Sequence, residues 1–230
     1  LQQTQVTTVL PYFERFIAAL PDVKALAEVH EDKLLKLWEG LGYYSRARNL
    51  QKAACIVLEK HGGVFPQEYE AILALPGIGR YTAGAISSIA FQKDKPVVDG
   101  NVIRVLSRVD AFREDVRKNT DYFWKRAADL LPKSEARDFN QALMELGALI
   151  CTPKNPKCSA CPLQKECKAL AEGVVETLPN KGMAKPKIKI QVAIVILEKG
   201  GKVFVQKRHE KGLMGGLWEF PGGKVEPDES

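Results

Sequence analysis

The sequence predicts a mainly α-helical domain followed by the start of a smaller, β-containing one. Three observations carry that prediction. From Val6 to Ile150 the apolar residues recur at helical spacing, and no credible strand interrupts them. Near the middle, Leu75-Pro76-Gly77-Ile78-Gly79-Arg80-Tyr81-Thr82-Ala83 forms a tight glycine turn between two short helices. From Ile188 the period switches to a continuous β-branched run.

The elements follow in order. Val6, Val9, Leu10, Phe13, Phe16, Ile17 and Leu20 lie near one face of a first helix, ended by Pro21-Asp22. Residues 23–29 and 31–38 read as two more short helices. Gly40-Leu41-Gly42 breaks the chain before Tyr43-Tyr44-Ser45-Arg46-Ala47-Arg48-Asn49-Leu50. A helix then continues over 50–60, capped by His61-Gly62-Gly63. Pro66 is expected to open the helix that leads into the glycine turn. Residues 69–75 and 82–91 are the helices flanking that turn. Lys95-Pro96-Val97-Val98 is an extended connector, followed by Asp99-Gly100-Asn101 and a helix over 102–109. Residues 120–131 form a further helix, capped by Thr120 or Asp121. In the helix over 138–150, Phe139, Leu143, Leu146 and Ile150 make the apolar face. Residues 174–187, rich in Pro, Gly and Lys, read as an exposed linker between a domain at 1–173 and a second at 188–230. In the second, residues 188–197 and 203–207 flank Glu198-Lys199-Gly200-Gly201 as a β-hairpin.

Composition bounds the partners. No apolar run approaches the length of a membrane-spanning helix, so no membrane partner is expected. The net charge of +6 suits a polyanion without requiring one. The chain starts at Leu1 without a Met and stops inside a Gly-rich motif, so both ends read as cut. Four of the five cysteines crowd together as Cys151, Cys158, Cys161 and Cys167, unlike a secreted disulfide framework. Their Cys-x6-Cys-x2-Cys-x5-Cys spacing calls for a soft metal, zinc or an iron–sulfur cluster. With only Cys158 and Cys161 forming a close pair, one loop wrapped round a cuboidal cluster suits it better than a zinc ribbon. Lys154, Lys157 and Lys165 in that loop are candidate DNA-backbone contacts. Cys55, on the apolar run Ala53-Ala54-Cys55-Ile56-Val57, reads as core.

The glycine turn delivers bare backbone N–H groups at the start of the next helix, the physical content of a helix-hairpin-helix aimed at a phosphate. By itself it fits an ordinary interhelical turn equally well. Asp99, at a helix start, reads by itself as an N-cap.

Hairpin, Val98-Asp99-Gly100-Asn101-Val102 and four-cysteine loop, in that order, resemble the iron–sulfur branch of the helix-hairpin-helix DNA glycosylases. Within it, Leu1-Gln2-Gln3-Thr4-Gln5-Val6, the run from Gly40 to Leu50 and Phe139-Asn140-Gln141-Ala142-Leu143-Met144 resemble the adenine DNA glycosylase (MutY) family. The likeness covers residues 1–167, and Gly215-Gly216-Leu217-Trp218-Glu219-Phe220-Pro221-Gly222-Gly223 is similar to the start of that family's Nudix-like domain. The resemblance implies a mainly α helix-hairpin-helix glycosylase fold with a [4Fe–4S] loop, then the beginning of an α+β Nudix-like domain. It implies removal of adenine mispaired with 8-oxoguanine or guanine in double-stranded DNA. A monomer is expected, cytoplasmic in a bacterium, nuclear or mitochondrial in a eukaryote.

That chemistry has two needs. The leaving base must be protonated by an acid near N7. The cationic sugar must be stabilised by a carboxylate, as in sugar hydrolases. The resemblance assigns the carboxylate to Asp99, with Asn101 beside it placing water or sugar. It places the acid in a Ser-Glu-Val-Met segment upstream of Leu1; of the glutamates present, Glu14 and Glu39 look solvent-facing and fit no such role. It further implies that Gln3 inserts into the duplex, Tyr43 wedges beside the oxidised guanine, and Gln141 reads the flipped adenine. Arg46 and Arg48 are expected to contact phosphate, and Pro76, Gly77, Gly79 and Tyr81 to line the hairpin's DNA surface.

Three alternatives remain at this point. An endonuclease III-like glycosylase/lyase for oxidised pyrimidines would share fold, aspartate and cluster, but needs a Schiff-base lysine where this chain has Tyr81. A Nudix hydrolase with a helical appendage is suggested by Gly223-Lys224-Val225-Glu226-Pro227-Asp228-Glu229, although only the opening half of that box is present. A non-catalytic lesion-binding protein is disfavoured by Asp99 in its motif.

Overall fold

The computed structural model describes residues 4–183, 189–209 and 215–225. Helices α1 (Val6–Ala19), α2 (Val23–Glu28), α3 (Glu31–Trp38), α4 (Ser45–His61) and α5 (Tyr69–Leu73) lead to the hairpin. Helix α6 (Arg80–Ala85) runs on into a π-helical turn at Ile86–Ala90. Helices α7 (Gly100–Val109) and α8 (Thr120–Leu130) follow, then α9 (Ala136–Glu145) with its own π turn at Leu146–Ile150, and α10 (Lys168–Ala171).

Helix α7 is the spine of the core. Val102, Val105 and Leu106 pack with Val98, Val116, Phe123, Ala127 and Leu143. Phe123 is fully buried, a burial that contributes roughly 2–3 kcal/mol. Helix α4 divides two smaller clusters, its Ala47 packing with Leu20 and Leu34, its Ala53 and Val57 with Leu75 of the hairpin. Gly62 ends it as expected, adopting φ 61° at the C-cap.

Several expectations need correction. No α1 residue is buried; Val6, Leu10, Phe13 and Ile17, placed on a core face from periodicity, are exposed. Only one side of α1 meets a neighbour, where Phe16 packs edge-on against Trp38 of α3. Val9, Phe13 and Ile17 border an open apolar groove with Leu26, Leu37 and Leu41. Helix α5 starts at Tyr69, so Pro66 precedes it rather than opening it. Helix α8 is preceded by Asn119, and no side chain caps it. The supposed linker begins docked. Leu178 is buried, Arg108 donates to the Val175 and Leu178 carbonyls, and Val116 N–H donates to Asn180 O.

In the second region a tight turn at Gly200–Gly201 joins β2 (Glu198–Lys199) to β3 (Lys202–Val203), so Glu198 and Lys199, expected in the connection of the hairpin, are strand residues instead. The run expected as one long strand is shorter. Only β1 (Val192–Ile194) is strand, antiparallel to β6 (Gly222–Lys224), while β4 (Gln206–Lys207) pairs with β5 (Trp218–Glu219). Ile188 lies outside the described residues. Among the described residues no helix is long and apolar enough to cross a membrane.

Candidate functional site

Asp99 is held from two sides. It is the N-cap of α7, its Oδ1 accepting from Val102 N–H at 2.8 Å. Its Oδ2 accepts from Asn101 Nδ2 at 2.9 Å. Cap and candidate catalytic group are therefore the same side chain, with one oxygen in each task. Asn101 is oriented in turn by Arg104 Nη2, which donates to Asn101 Oδ1 at 2.8 Å. Arg104 also donates to Gly147 O at 2.5 Å and Cys151 O at 2.7 Å. The polar chain thus runs from Asp99 to the first cysteine of the loop. Burial lowers the pKa of Arg104, against a smaller upward pull from Cys151.

The connector before Asp99 is anchored by Asn140 of α9, which is fully buried. Its Oδ1 accepts from Val97 N–H at 3.1 Å, and its Nδ2 donates to Lys95 O and Ser88 Oγ. At Gly147 a side chain has no room, because a Cβ there would lie 2.6 Å from Asn101 Cβ. The π turn serves this approach: Cys151 N–H reaches back to Leu146 O at 2.7 Å, and the wide turn delivers both Gly147 and Cys151 to Arg104.

The hairpin lies on the other side. Gly77 adopts φ +79°, and a Cβ there would strike Asn49 of α4. Pro76 and Gly77 line a groove with Asn49, Ile78 and Thr82. Gly79 is the N-cap of α6, and no side chain caps that helix. Arg80 turns to Asp121 and the Trp124 ring. Tyr81, half exposed, has its hydroxyl 3.9 Å from Met144 Sδ. Burial raises the Tyr81 pKa and the charge of Asp99 raises it further, so the hydroxyl stays protonated within the field of Asp99. Gln141 sits one turn before Met144 on α9, donates to Arg137 O and lines a polar pocket with Gln92 and Ser134.

The two arginines expected to contact phosphate both make contacts within the protein. Arg48 is paired with Glu31 at 2.8 Å and donates to Gly215 O at 2.8 Å, joining the helical body to the second region. Arg46 donates to Leu41 O and Gly42 O and lies against the rings of Trp38 and Tyr43. Tyr43 itself projects, 69% exposed. Gln3 lies outside the described residues. Glu14 and Glu39 are solvent-facing, Glu39 paired with Lys36.

Cys151, Cys158, Cys161 and Cys167 line one cavity with Arg108 and Leu170. Four thiols spread round a cavity fit a cuboidal cluster. Burial pushes the Cys158 thiol up, and the neighbouring Cys151, Cys167 and Cys161 push it further. Arg108, fully buried, clamps the loop by donating to Thr152 O and Cys151 Sγ. Lys154, Lys157 and Lys165 are exposed on it.

Arg104, Arg108 and Asn140 were not anticipated as site residues. The available signal was two arginines one turn apart on the apolar helix that follows Asp99.

The family model for HhH-GPD superfamily base excision DNA repair proteins matches residues 1–132. The iron–sulfur binding domain of endonuclease III matches 151–167, and a NUDIX domain 192–230. The chain is 41% identical to an adenine DNA glycosylase of Buchnera aphidicola, covering 96% of this chain and 63% of the relative. It is 39% identical to that of Homo sapiens, covering 100% and 51%. The chain thus spans about half to just under two thirds of these relatives. Among solved structures, a thermostable thymine-DNA glycosylase matches at TM-score 0.65 and 31% identity, over 71% of this chain and 76% of that one. A non-covalent endonuclease III–DNA complex matches at TM-score 0.63 and 25% identity, over 75% and 80%.

Proposed function

The chain belongs to the HhH-GPD superfamily of base excision DNA repair proteins, and from that premise we propose that it is the glycosylase portion of an adenine DNA glycosylase. Its substrate is adenine opposite 8-oxoguanine or guanine in duplex DNA, and its reaction is hydrolysis of the N-glycosidic bond. The observation that supports the reading is Asp99, doubly hydrogen-bonded, with Tyr81 rather than a Schiff-base lysine within its electrostatic reach.

The target base leaves the stack, at a few kcal/mol of unstacking that Tyr43 and Gln3 offset as wedges. As the glycosidic bond lengthens, positive charge develops on the sugar. The Asp99 carboxylate, fixed by Val102 N–H and Asn101, meets that charge without rearranging. Adenine departs with a proton from an acid near N7, which the resemblance places on a glutamate upstream of Leu1; water adds to the sugar carbon and the proton it gives up restores that acid. Neutral Tyr81 serves as a hydrogen-bond donor in the same cleft. Tyrosine cannot form a Schiff base, so the reaction stops at the abasic site. The cysteine set fits a [4Fe–4S] cluster, which when bound pins the loop bearing Lys154, Lys157 and Lys165 against the phosphates. The protein acts as a monomer.

The test is single-turnover release of adenine from an adenine:8-oxoguanine duplex, by the chain as given and by the chain extended upstream through Ser-Glu-Val-Met. The extended chain should release adenine without cutting the strand, and the shorter one should be nearly inactive. Excision of oxidised pyrimidines with efficient borohydride trapping would favour the endonuclease III reading instead.

A further inference from the structure

Tyr43 occupies a conformation that needs an explanation. Its φ is +48°, in the left-handed region that a bulky side chain seldom adopts. Its ring is also 69% exposed, so core packing does not hold it there. The surrounding turn is held instead by two side chains. Trp38 Nε1 donates to Gly42 O at 3.1 Å. Arg46 Nη2 donates to Leu41 O at 3.2 Å and to Gly42 O at 3.3 Å, and Arg46 N–H donates to Tyr43 O at 2.8 Å. The guanidinium carbon lies 5.4 Å from the Tyr43 ring centroid and 5.6 Å from that of Trp38. It is sandwiched between an anchored indole and an exposed phenol.

We infer that Arg46 is a positioning residue for Tyr43: its guanidinium, hydrogen-bonded to the Gly40–Gly42 turn and stacked beneath the phenol, presets the ring for insertion beside the base opposite adenine. The inference rests on the proposed wedge role of Tyr43. Arg suits the task because its planar fork reaches two carbonyls while its face stays available to aromatic rings. Ordering the ring before the encounter lowers the entropy lost on binding. Arg46 then contributes no phosphate contact of its own.

Binding of an adenine:8-oxoguanine duplex is measured by anisotropy across a salt series, for Tyr43→Ala, Arg46→Met, Arg46→Lys and the Tyr43→Ala/Arg46→Met double variant. Arg46→Met should weaken binding about tenfold, the scale of one newly mobile side chain, and leave the salt slope unchanged. Arg46→Lys should share most of that loss, since an ammonium keeps the charge but not the fork. On the Tyr43→Ala background, Arg46→Met should add less than about twofold, because neighbours acting through one element are not additive. A 2-aminopurine beside the 8-oxoguanine should brighten on binding to the parent and lose that rise with Arg46→Met at saturation. Should Arg46→Met fail to fold, Trp38→Phe, which deletes the Gly42 bond and trims the ring against which Arg46 lies, should weaken binding in the parent and not on the Tyr43→Ala background. Full additivity, wild-type binding by Arg46→Lys, or a salt slope reduced by about one overturns the positioning role and leaves the wedge standing. Wild-type binding by Tyr43→Ala overturns the wedge, and the inference with it.

Discussion

Asp99→Asn separates the two roles that one side chain combines. Asn is as good an N-cap as Asp, so the Val102 bond survives. The other oxygen becomes an amide nitrogen facing Asn101 Nδ2, now donor against donor at a site whose native separation is 2.9 Å. Flipping the Asn101 amide moves the conflict to Arg104 Nη2, 2.8 Å from its Oδ1. One partly buried charge-assisted bond is lost whichever way the amides turn, about 1–3 kcal/mol of stability. The rate loss is larger, because the charge aimed at the developing cation is gone. That costs about 3–4 kcal/mol, two to three decades. The Asp99→Asn/Asn101→Asp swap distinguishes the effects. Asn at 99 donates to Asp at 101, which accepts from Arg104, so every polar atom is paired again. Stability should return, while adenine release stays low because the carboxylate is one residue out of place. Single-turnover rates and thermal melts of the upstream-extended chain give both readouts. Full activity in Asp99→Asn would leave Asp99 a helix cap and nothing more. A swap as unstable as the single variant would refute the relay from Asp99 through Asn101 to Arg104.

Asn140→Ala strands Val97 N–H and Lys95 C=O in a buried site; a loss of about 2–4 kcal/mol by denaturant melt is expected, and a change below about 0.5 kcal/mol would show that water replaces the amide. Gly147→Ala brings a Cβ against Asn101 and should lower adenine release more than duplex binding; equal losses would place the damage elsewhere. Tyr122, bonded to Asp110, has its pKa raised to about 12, burial being the larger cause and Asp110 the next. A raised folded pKa means stability fully present below the unfolded value of 10.0 and lost as pH climbs toward about 12. Because the side chain is over a third exposed, screening leaves about 1 kcal/mol, and Tyr122→Phe should flatten that alkaline decline; an unchanged decline would refute the assignment. The purified chain should be yellow-brown from iron–sulfur charge transfer and lose colour in Cys158→Ser; colourless protein with one stoichiometric zinc would overturn the cluster.

Much of this protein was legible from one dimension. Helical periodicity located α2, α3, α4, α7 and α9 because a packed helix repeats its apolar face every turn. The glycine turn, the cap at Asp99 and the cysteine spacing were legible because each is a local device, complete within a few residues. Tyr81 at the lyase position needed only the hairpin register. Tertiary structure alone decided the fate of the arginines. Arg104 and Arg108 carry no local signal of burial, and buried arginines are rare; their partners lie 47 and 70 residues away at Cys151 and Leu178. Arg46 and Arg48 carry the same charge on one helix, but one supports Tyr43 and the other meets Gly215, 167 residues on. The apolar stripe of α1 marks a surface able to be buried, and whether it is buried depends on what lies across from it. Periodicity states what each residue can offer; which offers are taken up depends on groups that only chain topology brings together.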